Sequence, residues 1–166
     1  DVATYIIGGH YDSAEESPGA NDNGTAVAAS LELARHLRGW TPKQHRLRLV
    51  LWVNEEAPYG KTPDMGSWQH AKRLKDSGER VAGAIALETI GYFSDEPNSQ
   101  DFPPPFGMIY PHRGSFIAFV GLIGARPLVH RTLASFRRHT KFPSIGGVAP
   151  GFLRGIDLSD HWAYRQ

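Results

Sequence analysis

Three short apolar segments, separated by segments with helical spacing, constrain the fold of this chain more than any other feature. They are residues 4–7, the run HRLRLVLWVN that begins at His45, and the run VAGAIALET that begins at Val81. Their β-branched and apolar residues predict strands in the interior of a sheet. Strands that alternate with helices favour a parallel sheet with helices on both faces. The sequence therefore predicts an α/β fold, a three-layer αβα sandwich around a mostly parallel mixed sheet.

Helical spacing recurs in three segments. The run TAVAASLELARHL predicts a helix over residues 25–37, with Asn21, Asp22 and Asn23 ahead of it as capping candidates and Gly39 behind it. A second helix is predicted over residues 67–75, and a third over the run RPLVHRTLASFRRH, which follows a predicted strand FIAFVG. The segment 91–115 is rich in proline and polar residues, which predicts a long loop over the site. The chain is expected to finish through GIDLSDHWAYRQ without a closing element.

Length and composition are those of one ordinary globular domain. The chain has 166 residues, 40% of them hydrophobic and 21% charged, with a formal net charge of +1. No apolar run approaches the roughly 18–20 residues that cross a bilayer, and the basic run RTLASFRRHTK lacks the stacking aromatics of a nucleic-acid surface. Neither a membrane nor a nucleic-acid partner is therefore expected. Because a predicted interior strand begins within a few residues of Asp1, we expect a single domain over residues 1–166, incomplete at both ends.

The chain contains no cysteine, which excludes disulfides, thiolate metal sites and cysteine nucleophiles. Any metal must be held by nitrogen and oxygen. Ser13 and Ser159 lie near acids and histidines in sequence, but no GxSxG turn indicates a serine nucleophile. The cellular compartment stays open on this ground, since a protein without cysteine folds inside the cell as well as outside.

Acidic and histidine residues follow the predicted strands where the strands end, and one more acid lies on the loop into the first helix. These residues are His10, Asp12, Glu55, Glu56, Glu88 and, on the loop, Asp22. Because the carboxyl ends of neighbouring strands line one crevice in an open α/β sheet, we expect these side chains to converge. Several carboxylates crowded around one imidazole are costly unless a cation neutralises them. The pattern therefore predicts a divalent metal site.

Nitrogen and carboxylate ligands without sulfur suit a catalytic zinc ion, and also manganese or cobalt. Two ions fit this set better than one, since a carboxylate can bridge a pair of ions about 3.5–4 Å apart. The adjacent glutamates favour a division of roles, in which one binds metal while its neighbour holds the attacking water and moves its proton.

Each of these residues also has a simpler interpretation when it is taken alone. His10 fits a packed histidine, Asp22 a helix cap, the pair Glu55 and Glu56 a solvated turn, and Glu88 a partner for an arginine. The metal interpretation is preferred because it explains the set together. The run FPPPF fits either a ligand for a proline-binding domain or a rigid pocket wall, and the wall is the simpler use.

Six motifs in this order resemble one known family. They are GGHYDS, PGANDNGTAVAASLELAR, LVLWVNEEAPYG, GSWQHAKRL, ALETIGYFSD and SDHWAY. The chain is similar over nearly its whole length to the zinc aminopeptidases of the di-zinc exopeptidase class, whose relatives include glutamate carboxypeptidases and glutaminyl cyclases. The resemblance implies a zinc-exopeptidase fold and metal-dependent hydrolysis of the N-terminal bond of peptides with a free N-terminus. It also favours a secreted or periplasmic location.

Carried over position by position, the resemblance implies a role for each site residue. His10 and Glu88 hold one zinc ion, Glu56 helps to hold a second, and Asp22 bridges the two. Glu55 is the general base. The roles implied without metal contact are that Asp12 orients His10 and that Asp160 hydrogen-bonds near the substrate. The family also has a cis peptide after the bridging aspartate, here between Asp22 and Asn23.

Two positions depart from the family pattern. Many relatives have aspartate where this chain has Glu88, although the following TIGYFSD context is kept. The second zinc takes its histidine from downstream of the SDHWAY motif, and His161 within that motif is not this ligand. Since the sequence ends at Gln166, we expect one zinc site to lack a ligand and these residues alone to have weak or absent activity. The alternatives are a metal-binding scaffold or inactive fragment and, less favoured because it uses a single zinc, a glutaminyl cyclase.

Overall fold

The computed structural model of the chain describes residues 2–102, 106–153 and 155–165. The chain folds into two compact units, one formed by Asp1–Gly91 with Asp157–Gln166 and the other by Tyr92–Ile156. Every residue predicted for the site belongs to the first unit. The expectation of one catalytic domain over residues 1–166 stays a prediction.

The first unit contains three strands and two helices in the predicted order. They are β1 (Ala3–His10), α1 (Gly24–His36), β2 (His45–Trp52), α2 (Gly66–Asp76) and β3 (Val81–Ala86). The strands form a parallel sheet in the order β2-β1-β3, in which Gly8 pairs with Val50 on one side and Ala86 on the other. Because β1 is the central strand, its carboxyl end lies between those of its neighbours.

The two helices pack on opposite faces of this sheet. Ile6 of β1 is fully buried in a cluster with Trp52 and with Leu74 of α2. Gly9 faces α1 instead, where an added Cβ would lie 2.5 Å from the Cβ of Ala26. Successive side chains of a strand point to opposite faces, so residues 6 and 9 face opposite ways and α1 and α2 lie on different sides. The predicted α/β class with helices on both faces is confirmed.

Glu79, in the turn after α2, ties that turn to the sheet. Its Oε1 accepts a hydrogen bond of 2.5 Å from the hydroxyl of Thr4 on β1, and its Oε2 accepts one of 2.6 Å from Arg48 on β2. Nη1 of Arg46 lies 3.1 Å from Oε1. The Arg48 guanidinium and these other donors lower the pKa of the Glu79 carboxyl to about 2. The carboxylate is therefore a charged link between two strands.

The second unit is a smaller α/β arrangement. Its elements are β4 (Ile117–Leu122), α3 (Arg126–His139) and β5 (Ser144–Ala149), with 3₁₀ helices at Phe106–Met108 and Ile123–Ala125. The two strands pair in parallel, and α3 packs against both. The strand and helix predicted here are confirmed as β4 and α3. β5 was not predicted, and the expectation that the chain finishes without a closing element is wrong, because a 3₁₀ helix forms at Asp160–Arg165.

β5 could not be predicted from its sequence because it contains two adjacent glycines, and glycine has a low strand propensity. Both lie where another group approaches closely. An added Cβ at Gly146 would lie 2.6 Å from Cδ2 of Leu133 on α3, and one at Gly147 would lie 2.7 Å from the hydroxyl of Tyr110. The side chains of Leu133 and Tyr110 therefore occupy the space that larger residues at these two positions would need.

The described residues of the long segment between β3 and β4 form a loop, as predicted, apart from the 3₁₀ helix Phe106–Met108. Residues 103–105, the prolines of FPPPF, lie outside the described residues, so both interpretations of that run stay predictions, as does its position over the site. Within the described ranges, no helix has both the length and the apolar character needed to span a membrane.

Candidate metal centre

The carboxyl ends of β1, β2 and β3 lie side by side because the strands are parallel. His10 is the last residue of β1, while Glu55 and Glu88 follow the ends of β2 and β3. Nε2 of His10 lies 3.5 Å from Oε2 of Glu88 and 3.7 Å from Oε2 of Glu55. The three strands thus bring one imidazole and two carboxylates to a common point.

Asp22, on the loop into α1, and Glu56 complete the cluster. Oδ1 of Asp22 lies 3.1 Å from Nε2 of His10. One ligand atom from each of His10, Asp22 and Glu56 lies within 4.8 Å of the other two. The side chain of His10 is 1% exposed and that of Asp22 is 50% exposed, so the cluster has a protein side and a solvent side. Imidazole nitrogen and carboxylate oxygen are ligands that zinc binds in catalytic sites.

The backbone of Asp12 determines which nitrogen of His10 faces the carboxylates. Nδ1 of His10 lies 3.0 Å from the carbonyl oxygen of Asp12, which can only accept, so Nδ1 donates. In the neutral imidazole, Nε2 then has the free lone pair and faces Asp22 and Glu88. This is the orientation that a metal ligand requires. The predicted orienting role of Asp12 thus has geometric support, through its backbone carbonyl more than its carboxylate, whose Oδ1 lies 3.4 Å away.

The carboxylate of Asp12 holds the turn that carries the two glutamates. Its Oδ1 accepts a hydrogen bond of 3.3 Å from the backbone N–H of Glu55, and its Oδ2 accepts one of 3.2 Å from that of Glu56. Asn54, just before them, has a φ of 62°, a left-handed conformation that asparagine adopts more readily than most residues. Asp12 therefore fixes the turn from which both glutamate side chains leave.

Asn23 links the loop into α1 to the end of β3. Its Nδ2 donates to the carbonyl oxygen of Leu87 at 2.8 Å and to Oε2 of Glu88 at 3.0 Å. Its Oδ1 accepts from the N–H of Thr89 at 3.3 Å, and the residue is 1% exposed. It makes no side-chain capping bond to α1, in contrast to the sequence-based expectation of a cap. The peptide bond between Asp22 and Asn23 is cis, as the family resemblance implies.

Burial and crowding shift the pKa values of the cluster. Burial raises the pKa of Glu55 to about 8, that of Asp160 to about 7, and that of Glu56 in the same direction. Burial alone would lower the pKa of His10, but Glu88, Glu55 and Asp160 outweigh it and raise this pKa to about 10. These shifts favour the protonated forms of both the carboxyls and the imidazole. The cluster therefore lacks positive charge. A divalent cation would supply that charge, so these residues fit a metal.

Asp160 adds a buried carboxylate to the first unit. It is 0% exposed, and the hydroxyl of Ser67, which is also fully buried, opposes the rise in its pKa that burial causes. Its predicted hydrogen bond near the substrate stays a prediction.

The structure brings six of the predicted residues together at the strand ends, and their roles as ligands, orienting group and base stay predictions. Sequence reasoning missed two further residues of this site. The sequence analysis gave the side chain of Asn23 a capping role and considered Ser159 as a nucleophile, yet both side chains donate hydrogen bonds to Glu88. The one signal for them in the sequence is position, since Asn23 follows Asp22 and Ser159 precedes Asp160.

Comparison with known proteins identifies a family. Residues 2–106 match the model of peptidase family M28, and this stretch contains all the residues of the strand-end cluster. YfbL of Escherichia coli strain K12, described as an uncharacterized protein, is 41% identical over 175 residues, which cover 100% of this chain and 53% of YfbL.

Two more distant relatives carry functional names. An aminopeptidase of Pseudomonas aeruginosa strain UCBPP-PA14 is 30% identical over 133 residues, which cover 80% of this chain and 22% of that protein. A probable zinc metalloprotease of Pyrenophora tritici-repentis is 29% identical over 105 residues, which cover 58% of this chain and 20% of that protein.

The chain spans about half the length of YfbL and about a fifth of the length of the other two relatives. The family match covers well over half of its 166 residues. The resemblance noted in the motifs is therefore confirmed. The chain belongs to peptidase family M28, a family of hydrolases.

Proposed function

We propose that the protein is a zinc-dependent aminopeptidase, which removes residues from peptides that have a free N-terminus. The observation that supports this best is the convergence of His10, Asp22 and Glu56, whose ligand atoms lie within 4.8 Å of one another at the ends of parallel strands. Membership of a peptidase family and the names of the two distant relatives support the same conclusion.

In this proposal, His10 and Glu88 would hold one zinc ion, Glu56 would help to hold a second, and the carboxylate of Asp22 would be shared between them. The tautomer of His10 supports its role, since Nδ1 donates to the carbonyl of Asp12 and Nε2 keeps its lone pair. Bound zinc would supply Lewis-acid polarisation of the scissile carbonyl and would lower the pKa of a water molecule.

Glu55 is the proposed general base. Its Oε2 lies 3.7 Å from Nε2 of His10, close to the cluster, and its side chain is 12% exposed. This position supports the proposal that it takes a proton from a water molecule and passes it to the amine of the departing peptide. The hydrogen bond from its backbone N–H to Asp12 holds the turn in place while the side chain acts.

The protein side chains also explain why a neutral or anionic occupant is unsuited to this site. Four carboxylates, those of Asp22, Glu55, Glu56 and Glu88, surround a single imidazole. An anion would add to a charge that is already uncompensated, whereas a metal cation, or the ammonium group of a peptide N-terminus, would offset it. The preference for a free N-terminus is proposed from the name of the aminopeptidase relative.

The experiment that tests the proposal compares free and blocked substrates. The zinc-loaded protein is assayed on an amino-acid p-nitroanilide and on the same compound with an acetylated amine, both for this chain and for a hybrid joined to the parts of YfbL that it does not span. We expect hydrolysis of the free compound only, at least by the hybrid, and its loss in Glu55→Gln. Zinc binding without hydrolysis by either protein would favour a metal-binding scaffold, and hydrolysis that zinc removal leaves unchanged would contradict the proposal.

A further inference from the structure

Both oxygens of the Glu88 carboxylate accept a hydrogen bond from the protein. The hydroxyl of Ser159 donates to Oε1 at 2.6 Å, and Nδ2 of Asn23 donates to Oε2 at 3.0 Å. Hydrogen bonds to a carboxylate are stronger than those between neutral groups, and the short Ser159 contact is typical of them. The two donors approach from parts of the chain that are far apart, since Ser159 lies 71 residues from Glu88 and Asn23 lies 65 residues from it.

Ser159 is held firmly by its surroundings. It is 9% exposed and lies directly before the 3₁₀ helix Asp160–Arg165. An ion pair of 2.9 Å between Lys61 and Asp157 fixes the chain ahead of it. Within the 3₁₀ helix, the hydroxyl of Tyr164 accepts a hydrogen bond of 3.0 Å from Nε1 of Trp52. The hydroxyl of Ser159 is thus presented to Glu88 by a segment that is anchored on both sides.

The two hydrogen bonds define the direction of the Glu88 carboxylate. A glutamate side chain has three torsions, so without partners its carboxylate adopts many positions. With Oε1 held by Ser159 and Oε2 held by Asn23, Oε2 stays 3.5 Å from Nε2 of His10. Each carboxylate oxygen has two lone pairs, and each therefore keeps one lone pair for a further partner. The Thr89 backbone that follows has a φ of 45°, unusual for a β-branched residue, and the N–H of Thr89 is held by Asn23.

We propose that Ser159 is a positioning residue, which orients the carboxylate of Glu88 for zinc. The inference rests on the proposed function, because it takes Glu88 to be a zinc ligand. Ser159 does not touch the ion or the substrate in this scheme. It fixes the rotation of Glu88 in advance, so that zinc binding need not order a mobile side chain. Hydrogen-bonding partners of metal ligands typically change metal affinity by roughly 10–100-fold.

The test compares Ser159→Thr with Ser159→Val. These variants have nearly the same shape, but only threonine keeps the hydroxyl donor, so any difference reports on the hydrogen bond. Zinc affinity is measured by competition with a chromophoric chelator, and the thermal midpoint is measured separately on metal-free protein. We expect Ser159→Val to bind zinc roughly 10–100-fold more weakly than Ser159→Thr. We expect the metal-free midpoints of the two variants to be similar.

Ser30→Ala is the matched control for loss of a buried hydroxyl. Ser30 is 4% exposed on α1, and its hydroxyl has no hydrogen-bond partner among the described residues. This variant is expected to bind zinc as the wild type does. Equal zinc affinities of Ser159→Thr and Ser159→Val would overturn the inference while leaving the proposed function intact. Failure of the wild type itself to bind zinc would overturn both.

Discussion

Nε2 of His10, at the end of β1, lies 3.1 Å from Oδ1 of Asp22 on the loop that enters α1. The imidazole is buried and the carboxylate is half exposed, so an ion can approach from solvent to ligands that the protein already holds together. Gly9 makes this approach of loop and strand possible, because it lets the start of α1 pack directly on β1. The site thus depends on the packing of the sheet and α1, which brings together residues from separate segments of the chain.

Replacing the proposed base should separate catalysis from metal binding. Glu55→Gln keeps the size of the side chain but cannot take up a proton, so kcat of the hybrid with YfbL on an amino-acid p-nitroanilide should fall roughly 10²–10⁴-fold. Zinc affinity should remain close to that of the wild type, since Glu55 is not a proposed ligand. Glu15→Gln, at an exposed position, is the control and should change neither quantity. An equal loss of rate and of zinc affinity would show that Glu55 binds the metal instead.

Removing the carboxylate of Asp12 should loosen the turn that carries the glutamates. In Asp12→Ala the backbone amides of Glu55 and Glu56 lose their acceptors, so both amides should exchange hydrogen faster. Zinc should bind roughly 10–100-fold more weakly, because the side chain of Glu56 is no longer held in place. Hydrogen exchange followed by NMR checks the first effect, and chelator competition checks the second. Unchanged exchange at these amides would rule out this role, and Asp64→Ala at an exposed position serves as the control.

Much of this site could be predicted from sequence, for a topological reason. In a parallel sheet, residues that follow the strands meet at one edge whatever their separation in the chain, so His10, Glu55 and Glu88 could be placed together from their positions alone. The hydrogen bond from Ser159 to Glu88 could not be predicted in this way. It depends on how the segment before Asp160–Arg165 returns to the first unit, and no periodic pattern marks such a return.

A side chain at Gly9 should destabilise the protein. In Gly9→Ala the new Cβ would lie 2.5 Å from the Cβ of Ala26 and 2.8 Å from the carbonyl oxygen of Leu87, so α1 or β1 must shift. Overpacking of this kind costs about 1–3 kcal/mol of unfolding free energy. Gly124→Ala is the control, since no atom lies within 4 Å of its added Cβ. Urea denaturation measures both variants, and equal stabilities would contradict the close packing of α1 on β1.

Because of Glu79, the free energy of unfolding should depend on pH at values below 4.5, the ordinary pKa of a glutamate. Its folded-state pKa is lowered from 4.5 to about 2, so its stabilising contribution is complete above pH 4.5 and is lost as the pH falls toward 2. Glu79→Gln should therefore lower the unfolding free energy by about 1–3 kcal/mol at pH 7 and by less at pH 3. Urea denaturation of metal-free protein at the two pH values measures this difference.

Glu32→Gln is the control for this prediction. Glu32 also pairs with an arginine, Arg35, but both side chains are more than half exposed on α1. Solvent screens such a pair, and its loss should change stability little at either pH. A Glu79→Gln variant with the same small effect would mean that the link between Thr4, Glu79 and Arg48 does not stabilise the sheet.

The strands and helices themselves show where sequence patterns suffice. α3 has the predicted bounds, β1 contains the predicted segment 4–7, and β2 and β3 lie within the runs predicted as strands. β5 was missed because Gly146 and Gly147 give the segment a low strand propensity. These glycines lie in close contact with Leu133 and Tyr110. Such tertiary contacts cannot be read from the propensity of an isolated segment.

Zinc titration of the wild type and of Asp22→Asn, by competition with a chromophoric chelator, tests the proposed metal centre most directly. Asp76→Asn, an exposed site on α2, controls for loss of a negative charge. Asp22 is the proposed bridge between both ions, so its substitution should weaken all zinc binding by at least about 100-fold, while Asp76→Asn binds as the wild type does. Equal zinc affinity in Asp22→Asn and the wild type, or no zinc binding by the wild type, would contradict a metal site at His10, Asp22 and Glu56.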